Sequence, residues 1–142
     1  MIAMFLALAA APADTGCADA IRYELDRTAF RVDGANRPIG AARLEPFRRQ
    51  AAERFRQAAD GLCARKAIPA AGVAKIRRVV IQNGAGATET QLYSAPEYGR
   101  DSLVFQWVFA EGKLSVPERS DVERALLCRF HPKTKGCDEP GD

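Results

Sequence analysis

The sequence lacks an apolar run of about 18 residues or more, which excludes a multi-pass membrane protein. It also lacks an excess of one charge, since 21 Lys and Arg against 18 Asp and Glu leave a net charge of +3, too little to indicate a nucleic-acid partner. Internal repeats and low-complexity segments are missing as well, which excludes fibrous and disordered classes. A chain of 142 residues with 47% hydrophobic residues remains, and this is typical of one folded domain.

The motifs of several common sites are missing too. There is no C-x-x-C pair for zinc, no G-x-S-x-G for a nucleophilic serine and no G-x-x-x-x-G-K-[ST] for a nucleotide. The single histidine, His131, precedes Pro132, and we expect it at the surface. The sequence therefore predicts neither a metal site nor a cofactor, and it favours a protein without catalytic activity.

The N-terminal residues Met1–Ala13 have the pattern of a secretory signal peptide. Ile2–Ala11 is uncharged and apolar, and Ala11-Pro12-Ala13 matches a small-x-small cleavage site. We expect removal of this segment and a periplasmic or secreted domain over residues 14–142. A helix of the mature fold and an uncleaved anchor are the alternatives, although ten to twelve apolar residues are too few to span a bilayer.

Four cysteines follow this segment, an even number that is typical of two disulfides in an exported protein. Three connectivities are possible. Pro132 and Gly136 can turn the chain between Cys128 and Cys137, so we predict that bond, and Cys17 then pairs with Cys63. A zinc site of cysteines with His131 is the less favoured alternative.

The clearest secondary structure is a helix over Leu44–Lys66. Apolar residues recur there at three- and four-residue steps, while the opposite face alternates in charge. Pro46 is expected in the first turn, and Ile68-Pro69 ends the helix. The apolar stripe comprises Leu44, Phe47, Ala51, Phe55, Ala58 and Leu62.

Three strands are predicted after this helix. Val73–Gln82 is rich in β-branched residues, and a turn at 83–86 leads to Thr88–Tyr93, so the two segments read as a hairpin. Ser102–Ala110 has the strongest alternation, and we expect it to be a central strand with Trp107 in the core. Its predicted helix-facing side chains are Leu103, Phe105, Trp107 and Phe109.

A second helix is predicted over Val116–Phe130, with capping boxes starting at Ser115 or Ser120 as alternative beginnings. Asp19–Val32 fits either a strand or a helix, and extended structure is slightly favoured. The predicted fold class is α+β, a single small domain. An antiparallel sheet of three to four strands carries the long helix and the C-terminal helix. Over residues 44–110 this arrangement resembles the cystatin fold in outline, but no cystatin motif is present, so the resemblance implies nothing about function.

Positive charge is concentrated in the first half, where Arg22–Arg78 holds 14 Lys and Arg against 6 Asp and Glu. Most of these arginines belong to the solvated face of the helix. Arg48 lies at the margin of the apolar stripe, where it either extends toward solvent or binds a ligand. Together with Arg77, Arg78 and Lys75 it is the candidate ligand-binding set, for an anion. Tyr98 is the aromatic residue expected to be exposed.

These observations favour a small exported binding or accessory protein of the cell envelope. Its partner would be an envelope protein, an inhibited enzyme or an anionic ligand. A structural or assembly subunit is one alternative. The other is a small hydrolase of cell-wall sugar that uses two of the carboxylates Glu89, Glu97, Asp101 and Glu111.

Overall fold

The computed structural model describes residues 16–26, 39–83, 89–107 and 114–137. The predicted signal peptide lies outside these residues. The described elements are β1 (Arg22–Leu25), α1 (Ala41–Ala64), α2 (Ala70–Ala74), β2 (Arg78–Asn83), β3 (Gln91–Ser94), a 3-10 turn (Pro96–Tyr98), β4 (Ser102–Trp107) and α3 (Arg119–Phe130). They form one small α+β domain.

The four strands form one mixed sheet in the order β1-β2-β4-β3. β1 and β4 both run parallel to β2, and only β3 is antiparallel to its neighbour β4. The predicted antiparallel sheet is therefore wrong, and so is the hairpin of β2 with β3, because β4 lies between them. Val79, Val80 and Ile81 are all buried. Three consecutive buried β-branched residues are typical of a parallel strand covered on both faces.

The boundaries of three elements differ from the prediction. Val73 lies in the short helix α2 and is fully buried, so the strand begins at Arg78. α1 begins at Ala41, which places Pro46 in its second turn. α3 begins at Arg119 and its N-cap residue makes no side-chain bond, so neither predicted capping box forms. Of the undecided segment Asp19–Val32, the described part contains the strand β1, which agrees with the extended alternative.

The main core lies between one face of the sheet and the helices α1 and α3. Phe55 of α1 is fully buried, and its ring makes edge contacts with Tyr23 of β1 and Phe105 of β4, at centroid distances of 5.7 and 5.4 Å. Phe47 packs on Trp107 with the two rings tilted by 44°, at a centroid distance of 5.9 Å. The prediction that β4 is central and directs its aromatic residues to the helix is confirmed for Leu103, Phe105 and Trp107, whereas Phe109 lies outside the described residues.

Two disulfides join Cys17 to Cys63 and Cys128 to Cys137, the two pairs that the sequence predicts. The first closes a separation of 46 residues and attaches the segment before β1 to α1, and the second closes a separation of 9 after α3. Disulfides persist in oxidising surroundings, so these bonds indicate an extracytoplasmic environment. In the described part of the chain no helix is long and apolar enough to cross a bilayer.

Candidate ligand-binding face

The second face of the sheet lies opposite α1 and α3, and we call it the Gln82 face. Because side chains alternate along a strand, every second residue of each strand points to it. Among the described residues, the 3-10 turn at Pro96–Tyr98 is the element that packs on this face. The side chains of the Gln82 face are Arg22 and Glu24 of β1, Arg78, Val80 and Gln82 of β2, Ser102, Val104 and Gln106 of β4, and Gln91 and Tyr93 of β3.

The middle of the Gln82 face has an apolar floor. Val80 and Val104 are register partners, at 2% and 0% exposure, and they form a small cluster with Ala95. Tyr98 packs against this cluster and is half-buried, so the expectation of an exposed Tyr98 is wrong. The 3-10 turn folds back over the sheet, and the Tyr98 ring provides the apolar cover that Val80 and Val104 need.

Beyond this floor, at the carboxyl ends of the parallel strands, Gln82 is the centre of a hydrogen-bond network. Its Nε2 donates to Asp26 Oδ2 at 2.9 Å and to the Tyr98 hydroxyl at 3.5 Å. Its Oε1 accepts from the Tyr93 hydroxyl at 3.1 Å and from Gln106 Nε2 at 3.3 Å. A carboxamide has two N–H groups and two lone pairs, and here all four are used. The Gln82 side chain is therefore held in one orientation. We call these five residues the Gln82 cluster.

Tyr93 forms the outer side of the Gln82 cluster and keeps its proton. At 38% exposure it is the one large hydrophobic residue that is exposed in the described part of the chain. Its hydroxyl also accepts from Gln106 Nε2 at 3.1 Å. Partial burial raises the pKa of Tyr93, and the nearby carboxylate of Glu97 raises it further. The phenol consequently remains a neutral donor at physiological pH.

The amino-terminal end of the same face is charged and internally paired. Arg78 Nη2 donates to Glu24 Oε1 at 2.7 Å, and its Nη1 donates to the Tyr98 carbonyl. The guanidinium also lies over the Tyr98 ring, at 5.9 Å from the centroid. The hydrogen bond from Arg78 lowers the pKa of Glu24 and raises that of the arginine. The pair of Arg78 and Glu24 joins β1 to β2, and Arg78 also fixes the Tyr98 main chain through its carbonyl.

The predicted anion-binding set is distributed over different parts of the molecule. Arg48 donates to Glu45 on its own helix and to the Tyr23 carbonyl at 3.3 Å, so it connects α1 to β1. Arg77 precedes β2 and its side chain is exposed, as is that of Lys75 after α2. Arg78 alone lies on the Gln82 face, where Glu24 balances its charge.

The carboxylates considered for hydrolysis are likewise on separate elements. Glu89 is bonded to Arg124 of α3, on the helix-covered side of the sheet. Glu97 lies exposed in the 3-10 turn, and Asp101 lies exposed in the turn before β4. Glu111 lies outside the described residues. His131 is exposed, and its Nε2 lies 2.9 Å from the Ala67 carbonyl, where it connects the end of α3 to the segment after α1.

Sequence reasoning missed the Gln82 cluster. Glutamine and tyrosine have many roles, and the cluster depends on β4 lying between β2 and β3. The available signal was positional. Gln82 and Gln106 each occur near the end of an apolar strand, on the side opposite Ile81 in one strand and opposite Phe105 in the other.

Within the described residues no group of three or more His, Cys, Asp and Glu side chains is placed to hold a metal ion. The Gln82 cluster offers amide and phenol groups, together with the Asp26 carboxylate, around an aromatic surface. No family model matches the chain, and neither a curated protein nor a solved structure matches it significantly.

Proposed function

We propose that this chain is a small exported binding protein of the cell envelope, periplasmic or secreted, and that it binds its ligand on the Gln82 face without catalysing a reaction. The observation that carries the proposal is the Gln82 cluster, in which side chains from β3, β4, the 3-10 turn and the residue after β1 hold one carboxamide with every hydrogen-bonding position used. Binding sites depend on polar groups that are fixed before the ligand arrives.

Two further features support the same proposal. The two disulfides stabilise a small domain in an oxidising compartment, which fits an exported protein. The Gln82 face combines buried valines, tyrosine rings and a few oriented polar groups, the composition common in ligand sites. The described carboxylates Glu89, Glu97 and Asp101 lie on separate elements, which favours binding over hydrolysis.

The test is co-sedimentation of the oxidised protein with purified envelope fragments. We expect the wild-type protein to sediment with the fragments, and Tyr93→Ala to remain in solution, because this substitution removes the outer side of the Gln82 cluster. Gln50→Ala, on the exposed face of α1, is the matched control and should sediment like the wild type. Equal sedimentation of all three proteins, or of none, would contradict the proposal.

A further inference from the structure

We propose that the ligand of the Gln82 face is a neutral saccharide, with its hydroxyl groups hydrogen-bonded to Tyr98, Gln106 and Gln91 and one sugar ring lying against Tyr93. This inference rests on the proposed function and names the ligand class of the same site. Some hydrogen-bonding positions of the Gln82 cluster are used within the cluster, and the others are available to a ligand.

Donor and acceptor positions remain on three neutral side chains of the face, those of Tyr98, Gln106 and Gln91. The Tyr98 hydroxyl accepts from Gln82, and its own proton has no acceptor among the described residues. Gln106 uses its Nε2 for Gln82 and Tyr93, which leaves its Oε1 as an acceptor. Gln91 is the register partner of Gln106 on β3, and its exposed carboxamide adds a donor and an acceptor.

A ligand that satisfies these groups must both donate and accept over a short distance. Each hydroxyl of a sugar does so, since it has one proton and two lone pairs. The C–H groups on one face of a pyranose ring are apolar, and they match the exposed ring of Tyr93, whose partial burial already holds it in place. Aromatic and amide groups side by side therefore fit a saccharide.

Charge on this face disfavours an anion. Asp26 belongs to the Gln82 cluster, and the carboxylate of Glu97 lies close enough to Tyr93 to raise its pKa. The two arginines of the face, Arg22 and Arg78, lie at its other end, where Glu24 pairs with Arg78. A phosphate or a uronic acid bound at the Gln82 cluster would lie beside these two carboxylates, whereas Arg22 and Arg78 lie at the opposite ends of their strands. The neutral sugar is therefore favoured at the Gln82 cluster.

The experiment is an NMR titration of the ¹⁵N-labelled oxidised protein with cellotriose and with triacetylchitotriose. We expect the side-chain amide signals of Gln82, Gln91 and Gln106 to move with at least one of them, at millimolar concentration. Tyr98→Phe removes the phenolic donor, together with the long hydrogen bond that the hydroxyl accepts from Gln82, and should weaken binding about two- to tenfold. Tyr93→Ala should abolish it, and Gln50→Ala should leave it unchanged. Circular dichroism and thermal unfolding confirm that each variant is folded.

Choline and inorganic phosphate complete the titration, because a cation could also be drawn to the tyrosines and carboxylates. Movement of the three amide signals with choline or phosphate, and not with either sugar, would overturn the saccharide inference. So would envelope binding that depends on Tyr93 without any response to the sugars, and this second result would leave the proposed function standing. Failure of both the sedimentation and the titration would remove both proposals.

Discussion

The Tyr93 hydroxyl donates a hydrogen bond to the Gln82 carboxamide across the full width of β4, with 3.1 Å between the two oxygens. The main chains of β2 and β3 do not pair, since each has β4 as its neighbour. Their side chains meet above Val104, where Gln106 of β4 bonds to both. This contact is possible only because β4 lies between β2 and β3. It connects β3 to β2 through side chains, in addition to the main-chain pairing of β3 with β4.

Tyr23→Phe should leave stability at pH 7 unchanged or raise it by about 1 kcal/mol. The Tyr23 hydroxyl is buried and has no hydrogen-bond partner among the described residues, so its removal relieves an unmet desolvation cost. Chemical unfolding of the two proteins measures the difference. A loss of more than about 1 kcal/mol would mean that the hydroxyl has a partner.

The same substitution should change the alkaline limit of stability. Burial raises the pKa of Tyr23 in the folded state, so the unfolded chain ionises first, near the usual pKa of about 10. The contribution of the protonated Tyr23 to the free energy of unfolding is complete below that pH, and it is lost as the pH rises from there toward the folded pKa. We expect wild-type stability to fall between about pH 10 and 12 by more than that of Tyr23→Phe. Parallel curves for the two proteins would contradict this.

Tyr98→Ala should destabilise the fold by about 2 kcal/mol, because it uncovers Val80 and Val104 and withdraws the ring beneath Arg78. Tyr98→Phe retains the ring and should remain within about 1 kcal/mol of the wild type. Urea unfolding at pH 7 distinguishes the two variants. An equal loss in both would show that the hydroxyl, and not the ring, stabilises this face.

Glu24→Gln should reduce stability at neutral pH and not in acid. The hydrogen bond from Arg78 lowers the folded pKa of Glu24, so this stabilisation is present above the unfolded pKa of about 4.3 and disappears as pH falls through the folded value. Thermal unfolding from pH 7 to pH 2 should show the two proteins converging in acid. High salt should also reduce the difference in stability between the two proteins at pH 7, since Glu24 and Arg78 are both partly exposed. A difference in stability that persists at pH 2 would mean that the substitution changes packing and not only the ion pair.

The two disulfides should differ in what they contribute. The chain-entropy relation gives about 4 kcal/mol for Cys17–Cys63 and about 2.7 kcal/mol for Cys128–Cys137, from separations of 46 and 9 residues. Replacing both cysteines of a pair by serine, one pair at a time, allows chemical unfolding to compare them. The variant without Cys17–Cys63 should be the less stable, and the reverse order would mean that the short loop also holds α3 in place.

Local sequence pattern predicted the elements better than their arrangement. The periodicity around Phe55 predicted α1, and the alternation around Phe105 predicted a central strand that faces it, because both patterns depend on neighbours along the chain. The sheet order depends on contacts between β2 and β4, 18 or more residues apart. The turn-like residues after Asn83 favoured a hairpin that the fold does not use. The uninterrupted run at Val79–Ile81 was the one local sign of a parallel strand.

The candidate site was less predictable for the same reason. Arg48 and Arg78 were identifiable as unusual arginines, yet their partners Glu45 and Glu24 lie on α1 and on a strand whose pairing was unknown. The side chains of the Gln82 cluster are neighbours because β4 pairs with both β2 and β3, and no sequence motif predicts that pairing.

The described sheet is incomplete until β4 has been synthesised. Ser102–Trp107 is the last of the described strands to be synthesised, yet it is the one described neighbour of β3 and one of two for β2. A growing chain that ends before Ser102 cannot complete either pairing, so the domain stays open for most of its synthesis. Residues of β2 and β3 that β4 covers in the folded domain would accordingly remain exposed until that last described strand is added.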